Sequence, residues 1–241
     1  MDLTYLYILI LTVAASFIQR VSGFGFGIFV MMFFPFILPS YGESITLSGL
    51  LAGTTALLIA IRNLKHIRWD VMWIIVLFNV SVSWIAIEYM ASIGNETLKR
   101  CLGVMLVLIS LYFMFFDGKI KMLFASRMAQ ATVGAISGFM GGVFAMPGPP
   151  VVLYAIGALG DKRQYIATLQ AFSVVFNIFY TIFRARVGFF GESTLDYWGV
   201  GLIGLVVGAW LGARCFEYIG RDTLKRIVYI MMMASGIAAI I

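Results

Sequence analysis

Apolar residues run in ten blocks along this chain, at 3–20, 24–38, 44–61, 69–90 and 98–116, and again at 127–139, 143–159, 164–183, 195–216 and 223–241. Polar or glycine-rich interruptions separate them. Blocks of this length cross or deeply enter a hydrocarbon core of about 30 Å, so the pattern predicts an all-α polytopic membrane protein. The blocks also repeat. Residues 97–100 and 223–226 both read Thr-Leu-Lys-Arg, and Trp84 and Trp210 precede them at the same spacing of 126. Thr46, Leu47 and Arg62 match Thr168, Leu169 and Arg184 at a spacing of 122, and Ser22, Gly23 and Phe24 match Ser137, Gly138 and Phe139 at 115. Ordered matches over such distances indicate an internal duplication, residues 1–118 against 119–241. Five segments per copy is an odd number, so the second copy is expected to lie inverted in the membrane.

Composition fits a bilayer and little else. The chain is 62% hydrophobic and 12% charged, with a mean hydropathy of +1.00, too few polar groups to coat a water-soluble globule of 241 residues. Its net charge of +6 sits in short clusters between apolar blocks, which reads as cytoplasmic anchoring and not as a nucleic-acid face. Arg62, Lys65, His66 and Arg68 form one such cluster; Lys119, Lys121 and Arg127 form another, two helices later. Placing both in the cytoplasm puts the two termini outside and leaves Arg184 and Arg186 outside too, against the charge rule. Asp2 stands where a signal peptide would be basic, so the first block reads as a spanning helix. Cys101 and Cys215 fall near opposite faces on this path, which excludes a disulfide between them.

The first two blocks of each copy are joined without a polar loop. Ser22, Gly23, Gly25 and Gly27 form the first junction; Ser137, Gly138, Gly141 and Gly142 form the second. Each pair is then either a hairpin with its tip buried at membrane depth or two full spans with an irregular junction. Irregular backbone survives in a bilayer only beside protein or a water-filled cavity. A helix that starts there offers unpaired N–H groups and a positive dipole end to an anion, and glycine admits the ligand closely. Helix starts are expected at 25–27 and 141–143, with Pro35, Pro147, Pro149 and Pro150 keeping the region irregular. Arg20, just before the first junction, either reaches the interface or attracts the anion. Gln170, Asn177, Thr181 and Arg184 share one helical face, answered in the first copy by Ser48, Thr55, Ile59 and Arg62; Thr46 and Thr168 begin these stripes. The stripes either join helices or line a substrate route. Gly204, Gly208 and Gly212 form a small-residue stripe that is a packing seam or, alternatively, a homodimer face. Glu88 is the candidate intramembrane carboxylate.

No cluster of titratable, metal-binding or redox residues is present: one histidine, scattered acids and two separated cysteines give no basis for an enzyme, a metal or a cofactor. The paired junctions with their glycines, Pro35 and Pro147, the run at 167–170 and the loop holding Lys65, His66, Arg68 and Trp69 resemble the sulfite exporter TauE/SafE family, also called the toluene sulfonate uptake permeases. That resemblance covers nearly the whole chain. It implies a bacterial inner-membrane transporter, usually an exporter, of sulfite, sulfoacetate or other sulfonates. Phe26 and Phe144 stand where members often carry glycine. The expected partners are the bilayer and a small anion, held by Arg20, Ser22, Gly23, Gly25, Gly27, Thr46, Ser48, Ser137, Gly138, Gly141, Gly142, Pro147, Thr168, Gln170 and Asn177. A passive anion channel and a carboxylate carrier are the alternatives, and the sequence leaves the coupling ion open.

Overall fold

A computed structural model of the chain describes residues 3–22, 25–116, 126–159, 161–215 and 221–241. Among them are eleven α-helices, a single 3-10 turn and no strand: α1 Leu3–Ser22, α2 Phe26–Met31, α3 Phe34–Ile37, α4 Tyr41–Ile61, the turn Leu64–His66, α5 Trp69–Met90, α6 Asn95–Phe116, α7 Arg127–Phe144, α8 Gly148–Ala158, α9 Lys162–Arg186, α10 Thr194–Cys215 and α11 Arg221–Ile240. Six of these, α1, α4, α5, α6, α9 and α10, contain spans long and apolar enough to cross a membrane. The apolar stretch Phe26–Ile37 and helix Gly148–Ala158 are shorter. At 1.5 Å per residue the eleven residues of α8 rise only about 16 Å, half the hydrocarbon thickness. Both segments are therefore too short to cross a membrane as single helices.

The helix boundaries correct the expected register of the two halves. A shift of 122 residues carries the end of α1 at Ser22 onto the end of α7 at Phe144, and the start of α2 at Phe26 onto the start of α8 at Gly148. The same shift governs Thr46 and Thr168. The Ser-Gly-Phe match at 115 is out of register by seven residues, two helical turns. Ser137, Gly138, Gly141 and Gly142 are accordingly not a junction: α7 continues through them to Phe144, and no helix starts at 141–143. The break falls at Ala145, Met146 and Pro147.

Packing explains why those glycines stay helical. A Cβ on Gly134 would meet the Ile75 carbonyl at 2.6 Å and one on Gly138 the Asn79 carbonyl at 2.5 Å, while one on Gly142 would meet the Ser83 carbonyl at 3.2 Å. Small residues every fourth position let the backbones of α5 and α7 touch, the usual helix seam in lipid. Both indices rise together, so the two helices run parallel. The α1–α10 pair is built the same way, with Gly204 on Thr12, Gly208 on Val13 and Ser16, and Gly212 on Arg20. The Ser16 hydroxyl also donates to the Leu205 carbonyl (2.8 Å). The glycine stripe on α10 is thus an internal seam against α1.

Two compact units result, each drawing on both halves: Met1–Leu51 with Ile93–Asp117 and Phe190–Ile241, and Ala52–Ser92 with Gly118–Phe189. In the first, α6 and α11 cross at facing glycines, where a Cβ on Gly103 would stand 2.6 Å from the Gly236 carbonyl. Further along, the Ser110 hydroxyl donates to the Tyr229 carbonyl (2.7 Å), so this pair is antiparallel. A shift of 126 turns Gly103 into Tyr229 and Ser110 into Gly236. The two contacts are images of one another.

The breaks impose backbone conformations with measurable consequences. Gly25 has φ 100 and Ala145 φ 56, both left-handed. A side chain in that region costs about 1–2 kcal/mol. Gly25→Ala is expected to lower stability by about that amount although nothing lies within 4 Å of its Cβ position. Ala145→Gly is expected to shift stability the other way, by less, because glycine also loosens the unfolded chain. Thermal unfolding in detergent measures both.

Candidate functional site

Within the second unit the polar residues converge on the break after α7. Asn79 of α5, Ser137 of α7, and Tyr180 and Arg184 of α9 are each at most 1% exposed. The Ser137 hydroxyl donates to the Pro147 carbonyl (2.7 Å) and accepts from Asn79 Nδ2 (3.1 Å). The Tyr180 hydroxyl donates to Asn79 Oδ1 (3.0 Å). One guanidinium nitrogen of Arg184 donates to the Gly141 carbonyl (2.7 Å), and its carbon lies 5.3 Å from the Tyr180 ring centre.

A four-residue period on α9 produces this arrangement. Phe172, Phe176 and Tyr180 stack along one face with ring centres 5.6 and 6.2 Å apart, and Arg184 is the next rung. The ladder packs into the unit's apolar core beside Ile75, Val133 and Val151. Gly141 makes the convergence possible, because any Cβ there would collide with the Tyr180 hydroxyl. Its carbonyl belongs to the last turn of α7, where a helix end is partially negative, and it also accepts the Ala145 backbone N–H (3.2 Å). Arg184 supplies a donor and a positive charge at that point. A guanidinium is a planar fork that matches two oxygens of an oxyanion group.

Helix starts contribute less than the sequence suggests. Pro149 and Pro150 occupy the first turn of α8, so two of its leading backbone donors are missing. Helix α2 has six residues, and its Gly27 lies inside that short element rather than in a loop. The positive charge at the described break is the Arg184 guanidinium.

The other expected site residues divide between the two units. Thr168 is buried and accepts the Arg68 backbone N–H (3.1 Å), which ties α9 to the loop before α5. The Asn177 amide bonds back to the Ser173 carbonyl (2.8 Å), and its Cβ packs 3.0 Å from the Cβ position of Gly53. Gln170 is half-buried. In the first unit Thr46 is buried and bonds back to the Gly42 carbonyl (2.7 Å), whereas Ser48 is fully buried with a hydroxyl that has no partner among the described residues. Arg20 is exposed, its stem against Gly212. Gly23 and the Ser22 side chain lie outside what the structure describes. Glu88 is exposed and accepts from Trp84 Nε1 (3.1 Å).

Asn79 and Tyr180 escape a reading by composition because each is one polar atom group in an apolar block. The period of four in aromatic residues that ends on Arg184 is the signal that finds them. Tyr180→Phe is expected to leave Asn79 Oδ1 without this donor and to cost about 1–3 kcal/mol of stability, measured as a lowered unfolding temperature. An unchanged temperature would mean that the network carries no load.

The model of the family described as sulfite exporter TauE/SafE matches residues 8–239. No curated protein and no solved structure matches the chain.

Proposed function

The chain belongs to the sulfite exporter TauE/SafE family of multi-pass membrane transporters, and from that membership we propose that it is a secondary carrier exporting small sulfur-bearing oxyanions such as sulfite, sulfoacetate or other sulfonates across a bacterial inner membrane. Its two halves are read as oppositely oriented copies that alternate access to one bound anion. Support comes from the parallel pairing of α1 with α10 and of α5 with α7, and from the antiparallel, mutually imaged contacts of α6 and α11. Burial of Arg184 removes it from the loop charges that orient the chain, which eases the topology with both termini outside.

The observation that carries the proposal is the buried guanidinium of Arg184, set at an interrupted helix among Tyr180, Asn79 and Ser137. We read this guanidinium as attracting an oxyanion by its charge. Export suits its charge: a potential negative inside drives an anion outward by about 2.3 kcal/mol per charge per 100 mV.

Thermal shift in detergent tests the substrate class. Sulfite or a sulfonate at a hundred times its dissociation constant is expected to add about 2.7 kcal/mol to folding stability. Equal stabilisation by chloride, or by a carboxylate alone, contradicts the proposal.

A further inference from the structure

Among the described residues Glu43 is the buried carboxylate that the proposed anion site leaves unused, and we infer that it binds the proton that couples transport; the coupling, though not the proton site itself, rests on the carrier reading above. The side chain is 3% exposed in the first turn of α4. Ser40 and Glu43 have the spacing of a capping box, and the Ser40 hydroxyl accepts the Glu43 backbone N–H (3.0 Å). The carboxylate does not complete that box. It turns to the start of α10, where the buried Thr194 hydroxyl donates to Oε1 (2.9 Å). Thr194 in turn accepts the Gly191 backbone N–H (2.9 Å), which orients its single proton toward Glu43. Gly191 is closed against the carboxylate as well, since a Cβ there would stand 2.5 Å from Oε1.

The partner decides the chemistry. Among the described residues no Lys or Arg side chain lies within 4.0 Å of this carboxylate. When Glu43 is ionised Thr194 donates to it, and when Glu43 takes up a proton it donates to a second lone pair of the same Thr194 oxygen. One heavy-atom contact thus serves both states, and the reaction is the addition of one proton to a carboxylate and its later release. Other titratable groups on the neighbouring elements stand apart. Glu192 and Asp196 beside α10 are exposed, Glu96 on α6 pairs with Lys99 (3.2 Å), and Tyr41 on α4 is buried with its backbone N–H on Asn95 Oδ1 (3.2 Å). None of them reaches the carboxylate. Because Glu43 ties the start of α4 to the start of α10, its protonation bears on two membrane-crossing helices at once.

The test has one arm without substrate and one with it. Infrared difference spectra of the purified protein between acidic and alkaline buffer are expected to show a protonated-carboxyl band that is absent in Glu43→Gln. Thr194→Val, which keeps the carboxyl but removes its partner, is expected to shift that band. In proteoliposomes holding labelled sulfite under anaerobic buffer, the wild-type accumulation ratio is expected to change about tenfold per unit of imposed pH gradient for one proton per cycle. Glu43→Gln is expected to retain sulfite–sulfite exchange and lose that response. A band that survives Glu43→Gln, or a variant that still follows the pH gradient, overturns the inference. If Glu43→Gln does not fold, Thr194→Val decides: a shifted band supports the site, an unmoved band removes it. A wild-type band without any sulfite flux leaves the proton site standing and removes the sulfite reading instead.

Discussion

Replacing Arg184 with glutamine is expected to abolish sulfite-dependent stabilisation and to reduce sulfite flux by two to three orders of magnitude. Losing one charged partner of a buried, hydrogen-bonded pair costs about 2–5 kcal/mol, which is roughly 30-fold to several thousand-fold in affinity. Arg184→Lys keeps the charge but offers a point in place of a fork, so an intermediate loss is expected. The competing role is structural. Arg184 also supplies a donor to the last turn of α7 through the Gly141 carbonyl (2.7 Å), a contact that stabilises the break. The two roles separate by readout: a variant with a lowered unfolding temperature but an undiminished sulfite-induced shift would make Arg184 a helix cap and nothing more.

Gly138→Leu is expected to prevent assembly of the second unit. Its Cβ would lie 2.5 Å from the Asn79 carbonyl and 2.9 Å from Asn79 Cα, backbone atoms that cannot rotate away. Overpacking costs 1–3 kcal/mol where side chains yield; here whole helices must separate, and the Asn79–Ser137 bond is lost with them. Gly208→Leu meets the Val13 carbonyl in the same way and is expected to disrupt the α1–α10 pair. Gly94→Leu and Gly199→Leu, with open space at the Cβ position, serve as controls and are expected to fold. Fluorescence-detected size exclusion reads the outcome. Monodisperse Gly138→Leu protein would refute close backbone contact between α5 and α7.

The ten apolar blocks were legible because a hydrocarbon environment leaves little freedom in composition, and the expected 69–90 coincides with α5. The ordered matches behind the proposed duplication were legible for the same reason. Its register in the first helix was not, since glycine in a membrane marks either a break or a contact and the local sequence is alike in both. At Gly25 glycine takes a left-handed φ of 100 and is a break; at Gly138 it faces the Asn79 carbonyl and is a contact. Only the partner helix tells them apart, and α5 lies more than fifty residues away in sequence. Arg184 was visible as one end of a polar face, but its repeat partner Arg62 is exposed. Its importance depends on the end of α7, whose Gly141 carbonyl it meets, and no linear pattern reveals that contact. Glu43 hid for a simpler reason: it opens a helix after a short polar turn, where an acidic residue is ordinary.

The central claim is that one anion site is exposed alternately to the two sides of the membrane, and counterflow measures it directly. Proteoliposomes preloaded with unlabelled sulfite and diluted into a trace of labelled sulfite should show the label rise above equilibrium and then decay, with no overshoot in Arg184→Gln. Label that enters only to equilibrium in the wild type, as through an open pore, or an overshoot unchanged by loss of Arg184, would contradict the account.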